Sequence, residues 1–369
     1  MRSYKIIISG GGTGGHLFPA LAIANELILR FPDADVLFIG AENRMEMECV
    51  PAAGYRVIGL PTSGFNRKNP LKNFKVLFRL LKSLRIAKKI IREFKPDIAI
   101  GVGGYASGPT LWMASSLHIP VLIQEQNSYA GLTNKLLGKR AAKICVAYRG
   151  MDAYFPEKLI VITGNPVRKE LETIRNKDDE AFNYFGLEAG RPVILVLGGS
   201  LGARTINNSI QKGLSLLLGS GVQVIWQTGK LNYEIEIRHN KLVNALWVES
   251  FISRMDYAYA VADLVVSRAG AGTLSELCLL KKAAILIPSP NVAEDHQSKN
   301  ARALSDYDAA VFIHDNVAEE RLVETALELI NDKKRLRELG DNISSFAQLN
   351  SAKRIVDEVV KLINITKEQ

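Results

Sequence analysis

The feature that most constrains this chain is a repeated alternation of short β-branched runs with longer helical patterns, which persists from one end to the other. Such alternation is typical of βαβ units, in which parallel strands are joined by helices that cover the sheet. The pattern starts afresh near residue 192, and 369 residues are enough for about two domains. The sequence therefore predicts two doubly wound α/β domains.

The predicted elements place the domain boundary in a cluster of helix and strand breakers. Strands are predicted at 5–9, 35–40, 55–59, 97–101, 121–124, 143–146, 192–197, 222–226, 264–267, 284–287 and 309–313. Helices are predicted at 19–30, 71–94, 109–117, 132–137 and 351–362. Gly164, Asn165 and Pro166 interrupt the pattern and suit a hinge. We expect domains over 1–163 and 164–349, with a helix at about 350–369 that packs back on the first domain.

Positive charge is concentrated in one segment. Residues 65–95 hold eleven basic residues and one acid, so the segment carries +10 and the rest of the chain, with a total of +9, sums to −1. On a helical projection an arc of bases lies beside an apolar arc. The bases are Lys72, Lys75, Arg79 and Lys82, and the apolar arc contains Leu71, Phe74, Leu77, Phe78 and Leu81. Two interpretations remain open, a core helix with a solvated outer face and a helix that binds an anionic membrane surface.

Several classes of protein are disfavoured by composition. Three scattered cysteines, Cys49, Cys145 and Cys278, do not form a disulfide framework or a zinc-finger pattern. The sequence has no uninterrupted apolar run of about 18 residues, so no membrane-spanning segment is expected. Aromatic and basic residues do not interleave outside the basic segment as they do in single-strand binders, so nucleic acid is not an expected partner.

Glycine-rich turns follow predicted strands and precede predicted helices in both halves. Three lie at 10–15, 101–109 and 198–204, and a fourth spans 267–276. Backbone N–H groups at a helix N-terminus bind phosphate, because unpaired donors and the positive end of the helix dipole face the anion while glycine lets it approach. The turns therefore predict a ligand with several anionic or polar parts, such as a nucleotide sugar with an anionic acceptor, at the carboxyl ends of both sheets.

The first turn also resembles the dinucleotide fingerprint, which requires an acid about 20 residues further on. The nearest acid is Glu42, 27 residues past Gly15, so a nicotinamide cofactor and an oxidoreductase are disfavoured, and no cofactor is expected. A departing diphosphate would then need amides, helix dipoles and a cation. Arg168 is the candidate cation, and Glu276, early in its helix, is the candidate acceptor for ribose hydroxyls.

Six motifs occur in a fixed order along the chain: GGTGGHLFP at 11–19, GVGGYASGP at 101–109, EQN at 125–127, GNPVR at 164–168, GGSLGAR at 198–204 and the turn at 267–276. This ordered set resembles the MurG family, peripheral membrane transferases that move N-acetylglucosamine from UDP-N-acetylglucosamine to lipid I (undecaprenyl-diphospho-N-acetylmuramoyl-pentapeptide) to form lipid II. The resemblance covers essentially the whole chain.

This resemblance implies a GT-B fold, two Rossmann-like domains facing across a cleft. It also implies inverting, metal-independent transfer to the 4-hydroxyl of N-acetylmuramic acid, at the cytoplasmic face of the inner membrane. Asp33-x-Asp35 spells a metal-binding motif of other glycosyltransferases, but it precedes a strand, so no metal site is expected there. In this context we expect the basic segment 65–95 to bind the anionic membrane.

The resemblance further implies roles for individual residues. The nucleotide-sugar contacts would be Thr13, Gly14, Gly15, Asn127, Arg168, Ser200, Ile252, Glu276 and Gln297. Within that set, Ile252 would contact the uracil and Glu276 would bind the ribose. Ser200 and Arg168 would contact the diphosphate. Gln297 would contact the donor sugar, and His296 is the alternative to Gln297. The acceptor loop would contain Gly103, Gly104, Tyr105 and Ser107.

Two residues are candidates for the base that deprotonates the acceptor hydroxyl. His16 follows the first glycine turn, and the ordinary imidazole pKa of about 6.5 suits proton acceptance near neutrality. A purely positioning role for His16 is the alternative, and Glu125 is the rival base. Two other function classes also stay open: an isomerase like UDP-N-acetylglucosamine 2-epimerase, acting on the donor alone, and a non-catalytic nucleotide-sugar sensor.

Overall fold

The structure, a computed structural model, describes residues 4–62, 73–168, 171, 174, 177–199, 202–229 and 245–368. It divides into two compact units. Unit 1 comprises Met1–Val167 and Gln348–Gln369, and unit 2 comprises Arg168–Ala347. The division falls after Val167 rather than after residue 163, so Arg168 begins the second unit.

Unit 1 is built on a seven-stranded parallel sheet in the order β3-β2-β1-β4-β5-β6-β7. Its strands are β1 (Lys5–Ser9), β2 (Asp35–Ala41), β3 (Arg56–Leu60), β4 (Ile98–Gly101), β5 (Val121–Glu125), β6 (Lys143–Val146) and β7 (Ile160–Ile162). Its helices are α1 (Gly14–Arg30), α2 (Glu46–Ala52), α3 (Asn73–Phe94), α4 (Ser107–Ser116), α5 (Leu132–Leu137) and the C-terminal helix Ser351–Glu368.

Alternate side chains of the central strand of unit 1 enter two different cores. Ile6 and Ile8 pack with α1 and the C-terminal helix, whereas Ile7 packs with α3 and α4. Because successive side chains of a strand point to opposite faces, this apolar strand is buried on both sides. The C-terminal helix is also held to α1 by an ion pair between Arg30 and Asp357, 2.6 Å apart.

Unit 2 repeats the arrangement with six parallel strands in the order β10-β9-β8-β11-β12-β13. The strands are β8 (Val193–Leu197), β9 (Gln223–Gln227), β10 (Leu246–Glu249), β11 (Leu264–Ser267), β12 (Ala283–Leu286) and β13 (Val311–Phe312). The helices are α6 (Asp179–Phe185), α7 (Arg204–Gly219), α8 (Met255–Val261), α9 (Ala271–Leu279), α10 (His296–Ser305), α11 (Ala318–Asn331) and α12 (Lys333–Ser344). The prediction of two doubly wound α/β sheets is confirmed.

Some element bounds differ from the prediction. The predicted strand 143–146 has the same bounds as β6, but α1 begins at Gly14 rather than at residue 19. Pro19 lies within the second turn of that helix, where its missing N–H costs one bond near the helix start. The prediction omitted β7, β10 and α2, because three- and four-residue strands and a seven-residue helix carry too little periodicity to detect.

The outer face of α3 is apolar as well as basic. Val76, Ala87 and Ile91 face the core, whereas Leu77, Phe78 and Leu81 are 51%, 70% and 49% exposed. α3 is a core helix through Ala87 and Ile91, but these three residues of the predicted apolar arc lie outside the core. Phe65, Leu71 and Lys72 lie outside the described residues, as do the side chains of Phe74 and Lys75. In the part of the chain that the structure describes, no helix is long and apolar enough to cross a bilayer.

Candidate active site

The four glycine-rich turns lie at the carboxyl ends of the two central strand pairs. In unit 1 the turns follow β1 and β4, which are hydrogen-bonded neighbours, and in unit 2 they follow β8 and β11, which are also neighbours. In both sheets this is where the strand order reverses, and open α/β sheets bind ligands at this point. The arrangement within each unit therefore agrees with the site edge expected from the sequence.

Each turn leads into a helix whose first N–H groups receive no side-chain cap. The residues before α1, α4, α7 and α9 are Thr13, Ala106, Ala203 and Gly270, and none of these four makes a capping hydrogen bond. Among the other described helices, the aspartates before α6 and α12 cap their helices, whereas α2, α5, α8, α10 and α11 also begin without a side-chain cap. The four glycine-rich turns are distinguished by their place at the reversal points of the two sheets. Uncapped N-termini leave donors available to an anion and place the positive end of the dipole there.

The two turns of unit 1 contact each other through backbone. Gly104 has a φ of +89°, and a Cβ there would lie 2.4 Å from the carbonyl oxygen of Gly11. The buried carboxylate of Glu46 also holds the first turn, because it accepts from the backbone N–H of Gly12 and of Ala41, both at 2.9 Å. The sequence analysis missed this residue. Glu46 lies on the short helix α2, which gave no sequence signal.

His16 lies in the first turn of α1 and contacts the second glycine turn. Its Nδ1 is 3.0 Å from Oε1 of Gln126, and a Cβ on Gly103 would lie 2.8 Å from its Cε1. Gln126 is buried. The sequence analysis gave it no role beyond its place in the EQN motif at 125–127. The imidazole is therefore positioned by a side-chain amide at the end of β5.

Glu125, the alternative base, is surrounded by donors. Its Oε1 accepts from the backbone N–H and the side-chain Nδ2 of Asn127, at 3.0 and 3.1 Å. Its Oε2 accepts from the backbone N–H of Gly131 at 3.0 Å and from Nδ2 of Asn134 at 2.9 Å. Four N–H donors on a buried carboxylate indicate a group that organises the loop after β5 and orients Asn127.

The acceptor-loop candidates differ in what they present. Tyr105 is an exposed side chain, whereas the buried Ser107 donates its hydroxyl to the carbonyl of Gly104 at 2.9 Å and so holds the turn. Thr13 and Gly15 are exposed and Gly14 is half-buried at the start of α1. Unit 1 thus collects His16, Glu125, Asn127 and both glycine turns at one edge of its sheet.

In unit 2, Glu276 is held by two partners. Its Oε2 accepts from the hydroxyl of Tyr259 at 2.9 Å, and its Oε1 lies 3.6 Å from Nε of Arg168. Burial raises the pKa of Glu276, while Arg168 and the Tyr259 hydrogen bond act to lower it. Burial and the neighbouring carboxylate raise the pKa of Tyr259 well above its usual value, so the phenol stays a donor. Tyr259, on α8, was missed by the sequence analysis.

Another ion pair connects three segments at the same sheet edge. Arg268, directly after β11, donates to the carbonyls of Ile287 and Pro288 at 3.0 and 3.2 Å and pairs with Asp315. Asp315 also accepts from the hydroxyl of Thr205, near the start of α7, at 3.0 Å. The guanidinium therefore braces the fourth glycine turn against the loop after β12.

The remaining candidates of unit 2 are partly engaged by their own chain. Ile252 is fully buried, and its backbone N–H donates to Oε1 of Gln227 at 3.0 Å, so the structure does not expose this residue to a base. Oε1 of Gln297 accepts from the backbone N–H of Ser289 at 2.9 Å, which leaves its NH₂ group as a donor. Ser200 lies outside the described residues.

Comparison with known proteins identifies the family. Residues 6–146 match the glycosyltransferase family 28 N-terminal domain, and residues 193–359 match the corresponding C-terminal domain. A Parabacteroides distasonis protein is 62% identical over 99% of this chain and 100% of its own length. It is named UDP-N-acetylglucosamine--N-acetylmuramyl-(pentapeptide) pyrophosphoryl-undecaprenol N-acetylglucosamine transferase. This chain belongs to the MurG family. A Cytophaga hutchinsonii protein of the same name is 51% identical over the whole of this chain and 99% of its own.

Solved structures agree with the family assignment. The crystal structure of Acinetobacter baumannii MurG matches with a TM-score of 0.77 and 28% identity, over 98% of this chain and all of that one. The two parallel sheets are therefore those of a GT-B fold, and that fold prediction is confirmed. A UDP-N-acetylglucosamine 2-epimerase structure matches with a TM-score of 0.64 but only 14% identity, over 98% of this chain and 96% of that one, so it shows the fold alone.

Proposed function

We propose that this MurG-family chain transfers N-acetylglucosamine from UDP-N-acetylglucosamine to the 4-hydroxyl of N-acetylmuramic acid in lipid I, which forms lipid II and UDP. The relative from P. distasonis, alike over its full length, is named for this transfer. The observation that carries the proposal for this chain is the set of four uncapped helix starts at the reversal points of two parallel sheets. Both substrates contain a diphosphate, and each unit offers a pair of such anion-binding turns.

Unit 2 is proposed to bind the donor. The free electron pairs of the Glu276 carboxylate would accept the two ribose hydroxyls, because the hydroxyl of Tyr259 already fixes its orientation. A donor diphosphate would attract Arg168 away from Glu276, since a bidentate guanidinium–phosphate contact is stronger than a half-exposed ion pair at 3.6 Å. The turn that contains Ser200 would supply amides to the same diphosphate, and the NH₂ group of Gln297 would face the sugar.

Unit 1 is proposed to bind the acceptor and to supply the base. The turns that contain Gly14, Gly15, Gly103 and Gly104 would hold the lipid-linked diphosphate, and Tyr105 would contact the acceptor. His16 is the better candidate for the base, because all four hydrogen bonds of Glu125 go to donors of its own loop. General-base catalysis contributes typically about 10²- to 10⁴-fold, and His16→Ala is expected to lose that factor in the single-turnover rate.

Membrane contact is proposed for an apolar and basic surface of unit 1, here the α3–α5 surface. It consists of exposed side chains on three helices that pack in series. These are Leu77, Phe78 and Leu81 on α3, Trp112 on α4, and Leu132 and Leu136 on α5. The guanidinium of Arg140 lies 3.7 Å from the ring centre of Trp112, and Arg79, Lys82 and Arg85 surround the α3 residues. Aromatic side chains among bases are suited to an anionic interface, and peripheral attachment to the cytoplasmic leaflet follows.

The experiment that tests the transfer follows radiolabelled UDP-N-acetylglucosamine with and without lipid I, in the presence of a chelator. Label that enters the lipid only when lipid I is present, at a rate that the chelator does not change, supports the proposal. Conversion of the donor alone to a product epimeric at C2 would instead indicate an isomerase. Donor binding without any turnover would indicate a sensor, and either outcome refutes the transfer.

The membrane contact is tested by flotation with vesicles that contain phosphatidylglycerol. Each basic residue near an anionic surface contributes about 1 kcal/mol, so the triple change Arg79→Gln, Lys82→Gln and Arg85→Gln should weaken binding about 150-fold. The matched control neutralises three exposed bases on α12 of unit 2, Lys333, Lys334 and Arg337, and should float as the parent does. Equal loss in both variants would contradict a surface localised to unit 1.

A further inference from the structure

A series of buried side-chain amides connects Asn165, shortly after β7, to His16 on α1. Nδ2 of Asn165 donates to the backbone carbonyl of Gln126 at 3.0 Å, and Oδ1 of Asn165 accepts from Nε2 of Gln124 at 2.9 Å. Oε1 of Gln124 accepts from Nε2 of Gln126, and Oε1 of Gln126 faces Nδ1 of His16 at 3.0 Å. The three amides are 0%, 2% and 3% exposed for Gln124, Gln126 and Asn165. We call Asn165, Gln124 and Gln126 the amide relay.

The direction of every hydrogen bond in the relay is determined by backbone carbonyls. A carbonyl only accepts, so the carbonyl of Gln126 requires the NH₂ end of Asn165, and the oxygen of Asn165 must then face Gln124. At the other end, Nε2 of Gln126 lies 2.8 Å from the carbonyl of Val102 and 3.3 Å from that of Gln124. A flipped Gln126 would put its oxygen against these carbonyls. Both ends therefore require the same orientation.

This orientation decides which nitrogen of His16 carries the proton. An amide oxygen accepts and cannot donate, so Nδ1 must donate to Oε1 of Gln126. We propose that the amide relay holds neutral His16 in the tautomer with hydrogen on Nδ1, and thereby keeps Nε2 deprotonated. An unprotonated Nε2 is the form that accepts a proton from a hydroxyl. In this scheme Nε2 of His16 takes the proton of the acceptor 4-hydroxyl while that oxygen bonds to the anomeric carbon of the donor sugar. The bond from the same carbon to the UDP oxygen breaks and UDP leaves. Gln126 is a positioning residue.

The steric surroundings of the ring support the same assignment. Gly103 presents no side chain to the imidazole, and a Cβ there would lie 2.8 Å from Cε1 and 2.9 Å from Nδ1. The glycine therefore lets the ring reach Gln126. Gln126 in turn follows Glu125, whose four hydrogen bonds organise the backbone at the end of β5. The tautomer is thus determined by Gln126 and by the backbone that Gly103 and Glu125 place around it.

The direct test is the ¹⁵N spectrum of the full chain with labelled histidine, recorded at a pH where His16 is neutral. The His16 signals are assigned by their loss in His16→Gln. We expect Nδ1 to show the shift and the attached proton of a protonated nitrogen, and Nε2 the shift of an unprotonated one. Protonation of Nε2, or an equal mixture of the two tautomers, would overturn the proposal without any further variant.

Two substitutions separate tautomer control from simple packing. Gln126→Met keeps the length of the side chain but removes the acceptor, so the two ¹⁵N shifts should move toward each other and kcat should fall at least about tenfold with a smaller change in KM. Gln126→Glu keeps an acceptor for Nδ1–H, so Nδ1 should stay protonated, but its second oxygen would face the carbonyls of Val102 and Gln124 and the variant should be less stable than the parent. Gln223→Met, at a buried glutamine of unit 2, is the matched control and should leave the His16 signals unchanged. A parent-like His16 spectrum in Gln126→Met would overturn the proposal.

The inference rests on the proposed function only for its catalytic consequence, and the two can fail separately. If His16→Ala leaves the single-turnover rate unchanged while the ¹⁵N spectrum shows the Nδ1–H tautomer, His16 is not the base but the relay stands. If His16→Ala abolishes transfer while Nε2 is protonated in the parent, the proposed tautomer is wrong. His16 could then still be the base, but a group other than Gln126 would have to prepare it to accept the proton.

Discussion

Replacing Glu125 by glutamine replaces one oxygen of a carboxylate that accepts from four N–H donors. Each carboxylate oxygen accepts from two N–H donors of the 127–134 loop, at distances between 2.9 and 3.1 Å. Glutamine replaces one oxygen by NH₂, and in either orientation that group faces two donors. Two hydrogen bonds to a charged acceptor are lost, at about 1.5–3 kcal/mol each, so the loop is destabilised by about 3–6 kcal/mol.

Hydrogen exchange measures this loss locally, which matters because the change lies in one loop of one of the two units. The amides of Asn127 and Gly131 both donate to Glu125. Their protection should fall by about two to four orders of magnitude, since 1.4 kcal/mol corresponds to a factor of ten. Glu93→Gln, at an exposed position of α3, is the control and should leave both amides protected. Unchanged protection in Glu125→Gln would refute the loop-organising role.

Single-turnover transfer by the same variant distinguishes the two candidate bases. If Glu125 organises the loop, Glu125→Gln should misplace Asn127, so donor affinity and the transfer rate at low donor concentration should both fall. A saturating donor concentration should recover part of the rate. His16→Ala should lose the chemical step at any donor concentration. A chemical step lost in Glu125→Gln with normal loop protection would make Glu125 the base and contradict the assignment of His16.

Three further outcomes follow from buried groups and close contacts. Tyr259→Phe removes a hydrogen bond to the Glu276 carboxylate, worth about 1.5–3 kcal/mol, so UDP-N-acetylglucosamine should bind about ten- to hundredfold more weakly by calorimetry. Because that bond helps to lower the pKa of Glu276, the loss should be larger at pH 6 than at pH 8. Burial lowers the pKa of Lys282 to about 8, so its charged form opposes folding below that pH and this penalty is relieved as pH rises toward its unfolded value. Lys282→Met should therefore raise the melting temperature at pH 7, and the advantage should shrink by pH 9.5. Gly104→Ala should lower the melting temperature more than Gly12→Ala, because both positions have positive φ but only Gly104 places a Cβ against backbone, 2.4 Å from a carbonyl.

Local patterns were sufficient for most of the fold and for part of the site. β1, β6 and β11 were predicted with their observed bounds, because each is a run of β-branched residues next to a clear turn signal. The glycine-rich turns predicted that helices follow them, because a turn and the helix start next to it lie in the same short stretch of sequence. The residues that hold the candidate groups, such as Tyr259 and Glu46, carried no pattern because a single buried polar side chain has no periodicity.

The sequence by itself determined the alternation of strands and helices, the positions of the glycine-rich turns and the excess of basic residues along α3. Only the tertiary structure decided which face of α3 is buried, because that depends on how α4 packs against it. The direction of the amide relay is also tertiary. His16 and Gln126 are 110 residues apart in the sequence. The carbonyls of Gln126 and Val102 at the two ends determine the direction of the hydrogen bonds, and no short stretch of sequence contains all of these groups.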